Sequence, residues 1–183
     1  DVYEPGSTFK IVTMAAALDS GVAKLTDKFY CSGACFVNGQ RIKCWKSTGH
    51  GSQTLTEGLC NSCNCVFTDL ALRLGIERFY QYFNNFGLGS KTGIDFFAEA
   101  AGLLIKKEEA KIVDLARMGF GQSIAVTPLQ LITAVSACVN GGYLLKPYMV
   151  NSVSRQNGEI ILSNSKAVIG QAISSETSKI IND

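Results

Sequence analysis

The sequence predicts an α/β domain that is mainly helical and carries a small β-ribbon. Apolar residues make up 46% of the 183 residues, which is enough to bury the core of one globular domain. Several segments have apolar residues at helical spacing, and Asn38-Gly39 is the strongest short signal for a β-hairpin. We therefore expect helices to dominate, with the ribbon within residues 29–45.

The overall charge excludes several classes of protein. The chain has 17 Lys and Arg against 15 Asp and Glu, a net charge of +2, so it offers no basic stripe for a phosphate backbone. Because only 17% of residues are charged and 46% are apolar, intrinsic disorder is also excluded. No apolar run approaches the roughly 18 residues that cross a bilayer, and the first residues do not resemble a targeting leader. We expect no nucleic-acid partner.

The elements follow from periodicity and from residues that begin or end helices. Ser7 stands in N-cap position behind Pro5-Gly6, Gly75 separates two helical patterns, and Ser174 precedes a last helix. Residues 49–52 are predicted as a loop, and short strands are predicted around Asn157-Gly158. The predicted helices are 7–18, 54–61, 65–74, 76–86, 111–118 and 129–140. Residues 62–64 therefore form a turn between two helices.

Ser7 and Lys10 form a Ser-x-x-Lys pair at the start of the first predicted helix. Residues three apart share a helix face, so the lysine can take the serine proton if its amine is neutral. Burial and the positive end of the helix dipole both lower the pKa of such a lysine. A second copy, Ser163-x-x-Lys166, lies in a polar turn without an apolar helix behind it, and is interpreted as surface.

Ser62-x-Asn64 adds a second element to this pair. Serine acyl-transferases that combine Ser-x-x-Lys with Ser-x-Asn use the second serine to relay protons to the leaving group. Their asparagine amide holds the amide carbonyl of the substrate. The predicted catalytic residues are therefore Ser7, Lys10, Ser62 and Asn64, with Asn64 also binding substrate.

A series of motifs in fixed order resembles one known family. The motifs are Glu-Pro-Gly-Ser-Thr-Phe-Lys (4–10), Cys-Trp (44–45), Gly-His-Gly (49–51), Asn-Ser-Cys-Asn (61–64), Phe-Gly-Leu-Gly (86–89), Thr-Gly-Ile-Asp (92–95), Gly-Phe-Gly-Gln (119–122) and Thr-Pro-Leu-Gln (127–130). Together they resemble the transpeptidase domain of class B penicillin-binding proteins, particularly the sporulation-specific type. The resemblance implies the fold shared by penicillin-binding proteins and serine β-lactamases.

The resemblance also implies an activity, partners and a location. It implies a membrane-anchored serine D,D-transpeptidase that cross-links peptidoglycan on the extracytoplasmic face of the cytoplasmic membrane and needs no cofactor for catalysis. Ser7 would attack the D-Ala-D-Ala bond of a stem peptide, form an acyl-enzyme and pass the acyl group to an amine of a neighbouring stem. β-Lactams would acylate the same serine, and other cell-wall synthesis proteins would be partners.

The third motif of the family, Lys-Thr-Gly, is expected beyond this sequence. Lys91-Thr92-Gly93 has the right letters, but Ile94-Asp95 follows it in a predicted loop, so it corresponds to a different family segment. Residues 1–183 are accordingly expected to be a partial transpeptidase domain, truncated at both ends. Without the strand that carries the motif, only the Ser7 N–H of the two oxyanion donors would remain. Losing one donor typically slows turnover about 100-fold to 1000-fold, so this fragment is expected to be impaired.

Two other functions remain open from the sequence. One is a non-catalytic, zinc-stapled scaffold or penicillin-binding fragment whose partner supplies the missing sheet. The other is a thiol enzyme with Cys63 as nucleophile and His50 as base. The carboxylates of Asp95, Glu99 and Asp114 are interpreted as solvated or capping groups, and the adjacent pair Phe96-Phe97 is predicted to contact the core.

The seven cysteines predict a structural metal site. Cys138 lies alone in an apolar helix and is predicted to be core. The candidate zinc ligands are Cys44, His50, Cys60, Cys63 and Cys65, with Cys31 and Cys35 as alternatives, since three thiolates and one imidazole suit tetrahedral Zn²⁺. Disulfides or free thiols remain alternatives, although an odd count leaves one thiol unpaired. A zinc ion here would fix the turn that carries Ser62, and thiol oxidation would release it.

Overall fold

The computed structural model describes residues 1–183 and confirms a mixed α/β architecture. A short 3-10 helix, Gly6–Phe9, leads directly into the first α-helix. The α-helices are α1 (Lys10–Asp19), α2 (Leu55–Cys60), α3 (Asn64–Asn85), α4 (Ile112–Met118), α5 (Pro128–Val139) and α6 (Ser175–Asn182). The strands are β1 (Lys28–Cys31), β2 (Ala34–Val37), β3 (Gln40–Lys43), β4 (Gly51–Thr54), β5 (Tyr143–Leu145), β6 (Ser152–Ser154), β7 (Ile160–Ser163) and β8 (Val168–Gln171).

The strands form four small antiparallel pairs: β1 with β4, β2 with β3, β5 with β8, and β6 with β7. Asn38 and Gly39 have φ angles of +47° and +77° between β2 and β3, which confirms the predicted hairpin. The prediction of a loop over 49–52 is wrong in part, because Gly51 and Ser52 belong to β4. The physical reason is long-range pairing: β4 forms its hydrogen bonds with β1, so that Gly51 lies opposite Cys31.

The core lies between the helices. Helix α3 packs against α1 and α4, while α5 packs against α1 and α6. Phe9, at the end of the 3-10 helix, is fully buried and meets the ring of Phe83 edge-on with 5.6 Å between centroids. This packing carries the first turn of α1 into the interior, so that Lys10 is only 1% exposed.

Three helices begin after a capping side chain, and the sequence predicts the one at Ser174. The hydroxyl groups of Thr54, Thr127 and Ser174 each accept a backbone N–H in the first turn of the following helix. At Gly75 the backbone leaves the helical region, with φ +72° and ψ 166°, which confirms that two helical segments meet there.

Ser7 does not cap α1 as the sequence predicts. The 3-10 helix begins one residue before it, and the N-cap position of that helix is Pro5. The Ser7 side chain is exposed and bonds to other side chains instead of to the backbone of its own helix. Its hydroxyl group is therefore available for chemistry.

The prediction that Phe96 and Phe97 contact the core is wrong. They are 56% and 83% exposed and stack on each other with 4.7 Å between ring centroids, because the loop 87–102 carries them outward.

None of the helices combines the length and the apolar character that crossing a membrane requires.

Candidate active site

The backbone that precedes Ser7 is held by the segment around Gly121. Gly6 has φ +55° and its N–H donates to the carbonyl of Gly121 at 3.0 Å. A Cβ atom on Gly121 would lie 2.1 Å from the carbonyl oxygen of Gly6, so only glycine permits this approach. Glu4 accepts the N–H of Ser123 at 2.9 Å on the same side. These contacts fix the turn that presents Ser7.

Lys10 joins the two sequence motifs at one point. Its Nζ lies 3.2 Å from Ser7 Oγ, 2.9 Å from Ser62 Oγ, 2.7 Å from the carbonyl oxygen of Ser62 and 2.8 Å from Asn64 Oδ1. Ser62 Oγ is also 2.9 Å from Ser7 Oγ. The structure therefore brings together all four predicted catalytic residues, although 52 to 55 positions separate the two motifs.

The four oxygens around Lys10 indicate how a neutral amine would be oriented. A neutral amine has two N–H bonds and one lone pair. The Ser62 carbonyl and Asn64 Oδ1 can only accept, so they would take both N–H bonds. The lone pair then faces the hydroxyl groups of Ser7 and Ser62, either of which can give up a proton. The arrangement can perform general base chemistry on Ser7.

The environment of Lys10 favours the neutral amine. Burial lowers the pKa of Lys10 from 10.5 to about 8, and this effect outweighs the nearby Cys44 and Cys63 thiol groups, which act in the opposite direction. About one-tenth of the amine is therefore neutral at pH 7 and about half at pH 8, and only this neutral form can act as a general base.

Ser62 lies at the junction of α2 and α3 in a left-handed conformation. Its φ is +49°, which is uncommon for a residue other than glycine and costs on the order of 1 kcal/mol or more. The Ser62 N–H donates to Leu59 O at 2.8 Å, and the next N–H, of Cys63, donates to Gly58 O at 2.9 Å. This closed turn directs both the hydroxyl and the carbonyl of Ser62 at Lys10.

Asn64 is the first residue of α3 and connects Lys10 to the β2–β3 hairpin. While its Oδ1 accepts from Lys10, its Nδ2 donates to the carbonyl of Lys43 at 3.0 Å, at the end of β3. One amide N–H remains for a substrate carbonyl. The sequence did not indicate this contact with Lys43, since neither residue type nor spacing points to a backbone acceptor.

The other motif copies and carboxylates lie outside the site. Ser163 and Lys166 are exposed, as predicted. The Lys91-Thr92-Gly93 segment is a loop in which the Thr92 and Gly93 N–H groups donate to the Glu99 carboxylate. Likewise, Asp95 accepts the N–H groups of Met149 and Val150, and Asp114 accepts that of Lys111. The three carboxylates therefore cap backbone groups.

None of the cysteines forms a disulfide. The side chains of three cysteines and one histidine converge beside the Ser62 turn. The ligand atoms of Cys31, Cys44, His50 and Cys63 all lie within 4.8 Å of one another. Two predicted ligands are not among them: Cys60 is exposed at the end of α2, and Cys65 contacts Cys31 at 3.6 Å from outside the group. Cys31 takes their place because β1 pairs with β4, a contact that sequence spacing does not reveal.

The remaining thiol predictions are settled by burial. Cys138 is fully buried in α5, as predicted, and burial raises the pKa of its thiol to about 12. Cys35 is half-buried on β2, outside the group of four. Cys63 is fully buried, so a substrate could not reach its sulfur. The alternative of a Cys63 nucleophile with His50 as base is therefore wrong.

The sequence did not assign a role to the segment around Gly121. Its motif was part of the family resemblance, but its contact with Gly6 depends on two segments more than 100 residues apart. A Gly-Phe-Gly-Gln sequence after a helix signals a tight turn, and nothing in it indicates which residue that turn will contact.

Sequence comparisons place the chain among known proteins. The family model for the penicillin binding protein transpeptidase domain matches residues 1–183. Over 181 residues the chain is 46% identical to stage V sporulation protein D of Bacillus subtilis, covering 98% of this chain and 28% of that protein. It is also 30% identical, over 95% of its length, to a peptidoglycan D,D-transpeptidase FtsI homolog of Mesostigma viride, of which it covers 31%.

Solved structures agree with the sequence comparisons. The D,D-transpeptidase domain of a peptidoglycan glycosyltransferase from Eggerthella lenta superposes with a TM-score of 0.91 at 30% identity, over 100% of this chain and 48% of that one. Penicillin-binding protein A from Mycobacterium tuberculosis, solved as a ceftriaxone acyl-enzyme, superposes with a TM-score of 0.87 at 26% identity. The match covers 97% of this chain and 41% of that one.

The chain thus spans less than a third of the curated relatives and about half or less of these solved chains. Within that span, the match to the family model extends from the first residue to the last. This chain belongs to the penicillin-binding protein transpeptidase domain family.

Proposed function

We propose that this chain carries the nucleophile and the base of a serine D,D-transpeptidase that cross-links peptidoglycan. The observation that carries the proposal is the hydrogen-bond network in which Lys10 Nζ and Ser62 Oγ lie 3.2 Å and 2.9 Å from Ser7 Oγ. An exposed hydroxyl group next to a buried amine is the arrangement that serine acyl transfer needs.

In the first half-reaction, the Ser7 hydroxyl attacks the carbonyl carbon between the two D-alanines of a stem peptide. Its proton passes to Lys10, either directly or through the Ser62 hydroxyl. The tetrahedral intermediate collapses, the peptide C–N bond breaks, and the leaving D-alanine amine takes a proton from Ser62, which Lys10 reprotonates. The products are an acyl-enzyme ester on Ser7 and free D-alanine.

In the second half-reaction, an amine of a neighbouring stem peptide attacks the ester. Its proton passes to the same Lys10 and Ser62 pair and returns to Ser7 as the ester C–O bond breaks. The backbone N–H of Ser7 serves as one oxyanion donor in both steps. The unused N–H of Asn64 binds the amide carbonyl of the substrate.

The names of similar proteins support this choice of substrate. The Mesostigma viride relative is named a peptidoglycan D,D-transpeptidase, and the Mycobacterium tuberculosis relative was solved with ceftriaxone as an acyl-enzyme. We propose stem peptides as substrates and β-lactams as covalent inhibitors of Ser7. Because peptidoglycan lies outside the cytoplasm, we also propose that the intact protein is anchored to the cytoplasmic membrane with this domain on its outer face.

The similarity to stage V sporulation protein D supports a role in sporulation. We propose that the intact protein acts on spore peptidoglycan and meets other cell-wall synthesis proteins there. Deletion of its gene should then block formation of heat-resistant spores without changing vegetative growth. A vegetative growth defect with normal spores would contradict this assignment.

A fluorescent penicillin tests the activity directly. The intact wild-type protein should become covalently labelled, and Ser7→Ala should not. Ser163→Ala, which changes the serine of the surface Ser-x-x-Lys copy, is the matched control and should label like the wild type. If no form of the intact protein labels, the proposal fails and a non-catalytic scaffold gains support.

A further inference from the structure

We propose that Cys31, Cys44, Cys63 and His50 bind one Zn²⁺ ion that holds the Ser62–Asn64 turn in its active position. The positioning role rests on the proposed function, whereas the zinc site stands on its own geometry. The four side chains come from four separate segments: the end of β1, the residue after β3, the residue before β4 and the α2–α3 junction.

Two distances between the ligand atoms match those around a tetrahedral ion, and the others are no longer than 4.8 Å. With Zn–S bonds of about 2.3 Å and Zn–N bonds of about 2.05 Å, tetrahedral angles place sulfurs about 3.8 Å apart and a sulfur about 3.6 Å from a nitrogen. Cys44 Sγ lies 3.9 Å from Cys63 Sγ and 3.7 Å from His50 Nδ1. A disulfide would need sulfurs about 2.05 Å apart, so the group has the dimensions of a metal site.

A backbone donor contacts one of the sulfurs, as is common around metal-bound thiolates. The Gly33 N–H donates to Cys31 Sγ at 3.4 Å, and the Cys65 sulfur lies 3.6 Å from the same atom. Cys65 therefore contacts Cys31 from outside the group of four.

Gln53 Nε2 and His50 Nε2 are buried and have no hydrogen-bond partner in the protein. Gln53 is only 3% exposed and its Nε2 faces the Cys63 sulfur without a standard hydrogen bond. His50 Nδ1 meets only the Cys44 sulfur, so no protein oxygen competes with an ion for this nitrogen. A thiolate bound to a cation would accept from Gln53, and the imidazole would complete the ligand set.

The chemistry of these ligands selects zinc. Three thiolates and one imidazole are soft donors in a closed, four-coordinate arrangement, which is typical of structural Zn²⁺ sites. Magnesium and calcium prefer oxygen ligands, and the group contains none. No open position remains for a substrate or a reacting water, so the ion would be structural.

The proposed zinc site is adjacent to the Ser62–Asn64 turn, both in the sequence and in space. Cys63 lies between Ser62 and Asn64, and its sulfur would be fixed by the ion. Ser62 keeps a strained φ of +49°, which persists only where the surroundings hold it. The ion would link Cys63 to Cys31, Cys44 and His50, and this link would supply that constraint.

Metal analysis of the intact protein, purified without chelator, tests the site. We expect about one zinc per chain for the wild type and for Cys60→Ser, whose cysteine lies in the same region outside the group. Cys31→Ser, which leaves the catalytic residues unchanged, should lose at least about nine-tenths of the metal. If Cys31→Ser does not fold, Co²⁺ exchanged into the wild type should show the visible bands of a tetrahedral, thiolate-bound ion.

Several results would overturn the site: a wild type that contains no zinc and takes up no Co²⁺, equal zinc loss in Cys60→Ser, or a Cys44–Cys63 disulfide in protein isolated with blocked thiols. Chelation of the zinc should slow penicillin acylation roughly tenfold to hundredfold, and readdition should restore it. An unchanged rate would overturn the positioning role. Zinc-loaded protein that is never acylated would instead contradict the proposed function alone.

Discussion

Lys10 donates to Asn64 across 2.8 Å, although 54 positions separate the two residues in the chain. The same amine contacts Ser62, so one buried side chain fastens α1 to the α2–α3 junction. The base therefore acquires its surroundings only when both segments have docked. The proposed nucleophile and the proposed base share one short segment, but the reactivity of the pair would depend on a second segment.

Replacing Asn64 with aspartate should impair the base through charge. A carboxylate at 2.8 Å favours the ammonium form and raises the pKa of Lys10. We expect the rate of penicillin acylation at pH 7 to fall about tenfold or more. The pH range in which this rate increases should also move to higher pH. Asn61→Asp, which adds the same charge at an exposed neighbouring position, should leave the profile nearly unchanged. An Asn64→Asp profile that matches the wild type would contradict the assigned contact.

The rate of acylation should follow the protonation of Lys10. Burial lowers the pKa of Lys10 to about 8, and only the neutral amine accepts the Ser7 proton. Below pH 8 the neutral fraction grows about tenfold per pH unit, and above it the fraction levels off. Second-order rate constants with a penicillin, measured from pH 6 to pH 9.5, should show this rise and plateau. A rate that is flat between pH 6 and pH 9 would contradict Lys10 as the base.

Gly121→Ala should destabilise the turn before Ser7. The added Cβ would lie 2.1 Å from the Gly6 carbonyl oxygen, and the φ of +80° strains any other residue. Gly158→Ala is a matched control, because φ is +84° and the Cβ would meet open space. Gly158→Ala should cost about 1 kcal/mol in free energy of unfolding, measured with denaturant, and Gly121→Ala clearly more. Equal costs would show that the Gly6 contact is not tight.

Two phenylalanines test where the core lies. Phe83 is 2% exposed and meets both Phe9 and Phe79, so Phe83→Ala should lower the free energy of unfolding by about 3–5 kcal/mol. Phe97 is 83% exposed, so Phe97→Ala should change the free energy of unfolding by less than about 0.5 kcal/mol. A large loss for Phe97→Ala would support the core contact that the sequence suggested.

Local signals in the sequence predicted most elements. The cap at Ser174, the break at Gly75 and the Asn38-Gly39 hairpin all depend on short-range chemistry, and the structure contains each of them. The four catalytic candidates could also be named from two short motifs and their order.

Long-range pairing could not be predicted in the same way. Strand β4 pairs with β1 across the hairpin, so the sequence assigned Gly51 and Ser52 to a loop and did not favour Cys31 as a ligand. Proximity in sequence pointed to Cys60, but α2 turns that residue outward. Phe96 and Phe97 were misplaced because apolar character alone does not reveal which loop residues stay exposed.

The most direct test of the account is to locate the acyl group that a β-lactam leaves on the intact protein. After reaction with benzylpenicillin, digestion and tandem mass spectrometry should find the penicilloyl adduct on Ser7 alone. The adduct should be absent from Ser7→Ala and form far more slowly in Lys10→Ala. An adduct on any other residue, or undiminished acylation of Ser7→Ala, would contradict Ser7 as the nucleophile.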